Sequence, residues 1–237
     1  FVFRHSPDES LEQIVAACSH SCFDLEGIFT HFPCADEDVC GKTKDQFERF
    51  IEVVDRLEKR GFHFKIRHCA NSAATLGYGE YHLDMVRAGL VLYGLSYLEN
   101  STVELCPAMR LKSVISHIKT LRAGECVSYG RKFTAYRDVK VATVPVGYAD
   151  GFVRAFAGAS VKLKDGTLAP VVGRICMDQC MIDIGDAPVK PGDVVTLFGG
   201  DDGTMIEELA RIGHTINYEI TCILTPRVPR IPVNTQQ

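Results

Sequence analysis

Apolar positions in the first hundred residues follow two alternating rhythms. Phe47, Phe50, Ile51, Val54 and Leu57 recur at the spacing of a helix with one buried stripe; Thr43 and Gln46 read as its capping box and Gly61 as its end. An earlier helix, from about 7 to 20, opens with the capping box Ser6-Pro7-Asp8-Glu9, and Ser72–Leu76 reads as a short third helix. Between them Phe23–Phe32, Phe62–Cys69 and Met85–Gly94 are nearly continuous apolar runs, which predict strands. Apolar strands separated by helices indicate a parallel sheet covered on its faces. Three strands cannot close an eight-stranded barrel, which takes about 250 residues. Residues 1–104 are therefore expected to be the trailing part of a (β/α)8 barrel, with the leading part upstream; the start at Phe1-Val2-Phe3-Arg4, without an initiator methionine, fits that expectation.

The pattern changes at about residue 105. Leu111–Ile118, Val139–Val144, Ser160–Leu163, Arg174–Ile182 and Asp193–Phe198 are short apolar segments, punctuated by Asp165-Gly166, Gly199-Gly200 and Lys190-Pro191-Gly192. Residues 105–237 are expected to form a mostly antiparallel β domain with one late helix, Met205–Ile212, and a last strand over Tyr218–Leu224. The predicted fold class is α/β plus β.

Composition narrows the function. With 46% apolar and 24% charged residues and a net charge of −4, the 237-residue chain has the make-up of a globular protein, with no basic run to suggest nucleic acid or a membrane surface. No signal peptide or long apolar span is visible, and a cytoplasmic location is expected. Ten cysteines are scattered, several inside apolar runs, so they read as reduced core residues rather than a disulfide framework. Cys18-Ser19-His20-Ser21-Cys22 has no second ligand pair at zinc spacing, so no metal is expected and core cysteine is the reading.

Four stretches, in order from about residue 26 to 230, resemble alanine racemases. They are Glu26-Gly27-Ile28-Phe29-Thr30-His31-Phe32 with Ala35-Asp36; His68-Cys69-Ala70-Asn71-Ser72-Ala73-Ala74 with Met85–Leu90; Val127-Ser128-Tyr129-Gly130-Arg131 with Pro145–Gly151; and Gly173–Gln179 with Asn217-Tyr218-Glu219 and Arg227-Val228-Pro229-Arg230. The resemblance implies a pyridoxal 5'-phosphate enzyme that interconverts L- and D-alanine, the D-isomer serving cell-wall synthesis. It also implies a head-to-tail homodimer with two shared sites. The lysine that such enzymes join to the cofactor matches no residue here, and Lys65, read as mid-strand, is no substitute. A chain without that lysine is expected to be inactive alone. Serine racemases of the same family, a decarboxylase on a related plan and a non-catalytic dimerising module are the alternatives; the Ser128–Gly130 and Gly173–Gln179 stretches fit the decarboxylase less well.

The residue roles follow partly from physics and partly from the resemblance. Barrels bind phosphate at loops after late strands, which points to Asn71, Ser72, Gly89 and Leu90; the simpler reading of Ser72 is a helix cap. The resemblance adds the Tyr218 hydroxyl to that set. Arg87, in an apolar run, must have a partner, either an acid or, by resemblance, the cofactor's ring nitrogen. The resemblance makes Tyr129 the group that works on one face of the α-carbon, touched by His31, which also meets Arg87. It makes the Met177 amide the site of the substrate carboxylate. Tyr148, Arg154, Arg174, Asp36 and Asp178 match positions that line the entrance.

Overall fold

The structure, a computed structural model, describes residues 7–37, 41–96, 98, 103–199 and 204–233. It divides into two compact units, residues 1–92 with 96–105, and residues 93–95 with 106–237.

In the first unit α1 (Pro7–Cys18) carries Asp8 and Glu9 in its first turn, where negative charge suits the helix dipole; Ser6 of the expected capping box lies outside the described residues. Leu11 and Ile14 pack against Val53 and Leu57 of the following helix. Strand β1 (Gly27–Phe29) leads to α2 (Lys42–Glu58), and β2 (Ile66–His68) to α3 (Ser72–Gly77). The two strands pair in parallel, Gly27 opposite Ile66 and Phe29 opposite His68. Each is shorter than its apolar run, and Lys65 stands just ahead of β2 rather than within it.

Two expectations are corrected here. The cap of α2 is Gly41, in the left-handed region, while Thr43 is buried inside the helix. Gln46 turns outward to donate to the Thr30 hydroxyl (3.0 Å) and the His31 carbonyl (2.7 Å). The segment Met85–Gly94 is not a strand, because its amides are committed elsewhere. Arg87 N–H donates to the Ala70 carbonyl (2.9 Å), Gly89 N–H to the Ser72 hydroxyl (3.0 Å), and Leu90–Tyr93 winds into a 3₁₀ turn. An amide spent on a side-chain hydroxyl cannot join a ladder.

The second unit is built on strands β3 (Leu111–Val114), β4 (His117–Leu121), β5 (Cys126–Val127), β6 (Phe133–Thr134), β7 (Val139–Val144), β8 (Ser160–Lys162), β9 (Leu168–Val172), β10 (Cys180–Asp183) and β11 (Val194–Phe198). Seven form one antiparallel sheet in the order β3-β11-β8-β9-β10-β7-β4, while β5 and β6 make a separate hairpin. Strands β3 and β4 occupy opposite ends of that order yet are joined by only Ile115 and Ser116. The sheet must therefore curl round on itself. The predicted strand Leu111–Ile118 breaks at this crossing, where Ile115 N–H bonds the Asp193 carbonyl and Ser116 N–H that of Thr143. Val141, Val144, Val161, Val171, Ile182, Val195 and Leu197 line the core.

Helix α4 (Thr204–Gly213) lies near the predicted late helix. The expected last strand is instead helix α5 (Asn217–Cys222): Ile220, Thr221 and Leu224 are buried at helical spacing, and Ile223 N–H bonds the Glu219 carbonyl. Residues 174–177 are also not a strand; Cys176 N–H bonds the Gln179 carbonyl in a tight turn. Strand β9 has no counterpart among the expected strands. Among the described residues nine cysteines are free thiols; Cys69, Cys176 and Cys180 are buried, but Cys22, Cys34, Cys106, Cys126 and Cys222 are exposed, so the core reading fails for those five, while Cys18 is half-buried. Among the described residues no helix is long and apolar enough to cross a membrane, and no cluster is placed to hold a metal ion.

Leu57 is fully buried between α1 and α2. Leu57→Ala should cost about 2–5 kcal/mol, read as a lower urea midpoint by far-ultraviolet circular dichroism; an unchanged midpoint would show that the α1–α2 contact does not hold the unit together.

Candidate active site

The carboxy-terminal ends of β1 and β2 release two neighbouring loops, and register places them side by side: Thr30 N–H donates to the His68 carbonyl at 3.3 Å. Asn71 ties them together. Its Oδ1 accepts from Ala74 N–H (3.0 Å), capping α3, and its Nδ2 donates to the Phe32 carbonyl (3.0 Å). The cap of α3 is thus Asn71, not Ser72. Ser72, one residue on, is released from that duty, and its buried hydroxyl accepts from Gly89 N–H (3.0 Å) and lies 3.5 Å from Val91 N. A β-carbon at Gly89 would stand 3.9 Å from that hydroxyl. The turn Gly89-Leu90-Val91 therefore brings two N–H groups, those of Gly89 and Val91, to the Ser72 oxygen.

Beside this turn stands Arg87, half-buried and caged by acceptors rather than paired with an acid. One guanidinium nitrogen donates to His68 Nδ1 (2.7 Å); the other reaches His31 Nδ1 (3.1 Å) and the carbonyls of Thr30 (3.2 Å) and Cys69 (3.3 Å). A guanidinium has donors only, so both imidazoles must present an unprotonated Nδ1. Phe29 stacks on His68 with ring centres 5.2 Å apart, and the Arg87 charge sits 5.3 Å from the Phe29 ring. The sequence pattern does not single out His68 or Thr30. His68 stands three residues ahead of Asn71 in a stretch that carries the family resemblance, and the need of Arg87 for a partner is the signal that points to it. Asp36 is exposed on the loop after β1.

The second unit carries its own group of predicted residues. The β5–β6 hairpin holds Tyr129 on the loop 128–132, where Ser128 (φ 72°, ψ 165°), Gly130 (φ 72°) and Arg131 (φ 49°) all have positive φ. Such a conformation at Ser128 is nearly confined to glycine and costs about 1–3 kcal/mol. Tyr129, 71% exposed, lines with Tyr148, Arg154, Arg174 and Ile175 a recess of about 280 Å³. Met177 and Asp178 lie on the adjoining turn. The carbonyls of Cys176 and Met177 accept from Tyr148 and Ala149 N–H (3.0 Å each). Among the described residues the Met177 amide has no hydrogen-bond partner. Asp178 binds Arg227 at 2.7 Å. Tyr218 sits in the first turn of α5 and is partly exposed.

Burial, and behind it the Arg87 charge, lowers the His68 pKa below its ordinary 6.5. With a depressed folded-state value the unfolded chain takes up the proton first. The stability tied to neutral His68 is fully present above 6.5 and lost as pH falls through the lowered value. The His68 ring should titrate by NMR with a midpoint under 6.5, and Arg87→Leu should raise that midpoint only part of the way, since burial is the larger cause. A midpoint at or above 6.5 would contradict the acceptor role of Nδ1.

Residues 108–232 match the family described as "Alanine racemase, C-terminal domain", and residues 5–97 match "Alanine racemase, N-terminal domain". An alanine racemase of Desulforamulus reducens is 45% identical over 231 residues, covering 95% of this chain and 62% of the relative; one of Clostridium tetani is 45% identical over 234 residues, covering 95% and 60%. The solved alanine racemase of Clostridium difficile 630 in complex with cycloserine aligns with TM-score 0.87 and 42% identity, over 96% of this chain and 61% of that one. The chain thus spans about three fifths of the length of these relatives. Its two units are part of the family's barrel domain and its antiparallel β domain, and the chain belongs to the alanine racemase family.

Proposed function

We propose that these 237 residues supply the phosphate cradle, the ring-nitrogen arginine and one of two proton-carrying groups of an amino-acid racemase acting on alanine. The observation that carries the reading is the juxtaposition of the caged Arg87 with the amide-ringed Ser72 at the carboxy-terminal ends of β1 and β2. A serine hydroxyl beside the backbone N–H groups of a turn and a helix start is the donor type that suits a phosphate group. Asn71, Ser72, Gly89 and Leu90 would hold the phosphate of pyridoxal 5'-phosphate, with Tyr218 as the family pattern has it, and Arg87 would face its ring nitrogen. When bound, the group supplies an electron-withdrawing ring that makes the α-proton of an amino acid removable.

The remaining steps belong to the protein. Arg87 keeps its proton at any working pH, so it can donate to a ring nitrogen without protonating it. That weakens electron withdrawal and favours brief removal and return of the proton over longer-lived side chemistry. Tyr129 holds or takes a proton at its phenolic oxygen on one face of the α-carbon. A free phenol has a pKa of about 10, so polar neighbours must help it, and His31 is the family's choice. The Met177 N–H would bind the substrate carboxylate. Tyr148, Arg154, Arg174, Asp36 and Asp178 would shape the entrance. The strong exposure of Tyr129 and Met177 (53%) suits a surface completed by a partner subunit in a head-to-tail dimer.

Inversion needs a second group on the opposite face, a lysine in this family. Lys65 cannot serve, since it precedes β2 while the cradle follows the other end of that strand. We read the 237 residues as inactive on their own.

The test is direct. The chain mixed with pyridoxal 5'-phosphate should show no cofactor trapped on a lysine by borohydride and no racemisation of L-alanine or L-serine. Adding the amino-terminal part of the Clostridium difficile enzyme in trans should restore racemisation, faster on alanine than on serine, and Tyr129→Phe should then lower the rate about 10²–10⁴-fold. A lysine-bound cofactor with turnover by the chain alone would overturn the reading of inactivity. A complemented enzyme indifferent to Tyr129→Phe would remove Tyr129 from the chemistry, and failure of complementation would favour a non-catalytic module.

A further inference from the structure

The loop that presents Tyr129 is held in a conformation its sequence does not favour. Ser128 adopts φ 72° and ψ 165°, and Arg131, another residue with a β-carbon, adopts φ 49°. Something outside the loop must over-determine this geometry. Packing supports it on one side only: Ser128 lies against Gly173, while a hollow of about 490 Å³ opens beside the loop, bordered by Ser128, Tyr129, Cys176 and Met181 among others. The loop joins two-residue strands, so ladder bonds restrain it only at its ends.

The restraint is a two-way bond. Ser128 Oγ donates to the Arg174 carbonyl at 2.7 Å and accepts from the Arg174 N–H at 2.8 Å. One hydroxyl thereby satisfies both backbone groups of a residue 46 positions away. Gly173 makes the approach possible, while the space over Gly130 would admit a β-carbon in ordinary contact. A β-carbon at Gly173 would lie 2.6 Å from that of Ser128, and one at Gly130 would lie 3.4 Å from the Arg174 guanidinium, which crosses the loop there. Arg174 is thus gripped through its backbone by Ser128 while its side chain lies over Gly130, on either side of Tyr129.

We propose that Ser128 is a positioning residue, whose hydroxyl clamps the strained 128–131 loop to the Arg174 backbone and so sets where the Tyr129 phenol is presented. The same clamp couples the Tyr129 loop to Arg174 in the recess wall. The inference rests on the reading of Tyr129 as a proton-carrying group, but its geometry can be tested without turnover. Replacing Ser128 by alanine removes both bonds and keeps the unfavourable φ. Replacing it by glycine removes both bonds and relieves the φ.

The experiment is amide hydrogen exchange and backbone relaxation by NMR on the full 237-residue chain. In the unmodified chain the Arg174 amide should exchange slowly for a loop residue, and the Tyr129 order parameter should be near the rigid value of about 0.85. In Ser128→Ala and Ser128→Gly, Arg174 exchange should accelerate at least about tenfold, and the Tyr129 order parameter in Ser128→Ala should fall below about 0.6. Arg131→Gly, which relieves strain without touching the clamp, should leave Arg174 protected. If Ser128→Ala does not fold, Ser128→Gly and the unmodified chain still decide the matter. Fast exchange at Arg174 in the unmodified chain, or unchanged exchange in a folded Ser128 variant, would overturn the proposal. Loss of the catalytic reading alone, through an indifferent Tyr129→Phe, would leave these exchange rates as a separate measure of the clamp.

Discussion

The first unit is organised by the solvation of one guanidinium. A half-buried Arg87 loses much of its water and must recover hydrogen bonds from the protein. It finds them in two imidazoles and two carbonyls from both strand ends. Those four groups converge only if β1 and β2 are paired in their observed register and the chain around Arg87 leaves the ladder. The same requirement brings Gly89 and Val91 over Ser72. Satisfying one cation therefore also sets the neighbouring Ser72 hydroxyl against the Gly89 and Val91 N–H groups, so the guanidinium and these amides come from one turn of chain.

In the second unit the candidate site residues stand on irregular backbone supported by a regular sheet. The curled seven-stranded sheet fixes β7 and β10, and the turns flanking them carry Tyr148 and Met177. Arg227 joins Asp150, whose carboxylate accepts from Gly147 N–H, to Asp178. The pair with the exposed Asp178 adds little stability by itself, but the two pairs tie the segment around Arg227 to both turns. Loops that carry chemistry are often the least regular part of a rigid scaffold.

Much of this is legible in the sequence, for identifiable reasons. The helix over Lys42–Glu58 and the strand Val139–Val144 have clean periods, and both form almost as expected. The Arg87–His31 contact, which the family resemblance implies, is also present, whereas the bond from Gly89 N–H to Ser72 is not foreseen: the sequence places both residues only near a phosphate. What misleads is apolar composition without regard to where amides go. Met85–Gly94 reads as a strand, but its N–H groups belong to Ala70 and Ser72. Tyr218–Leu224 is apolar enough for a strand, while its buried positions have helical spacing. Thr43 resembles a cap because the left-handed cap at Gly41 leaves no side-chain signature. The Ser128 clamp spans 46 residues and has no local trace at all.

Burial of individual cysteines has a chemical consequence. Dehydration pushes the Cys69 thiol up to about 11 and Cys180 up to about 12, so both remain protonated in neutral solution. Only the thiolate attacks electrophiles or peroxides at a useful rate. Oxidative damage and alkylating reagents will therefore fall on the surface sulfurs, Cys22, Cys34, Cys106, Cys126 and Cys222, while Cys69, whose backbone helps cage Arg87, is spared.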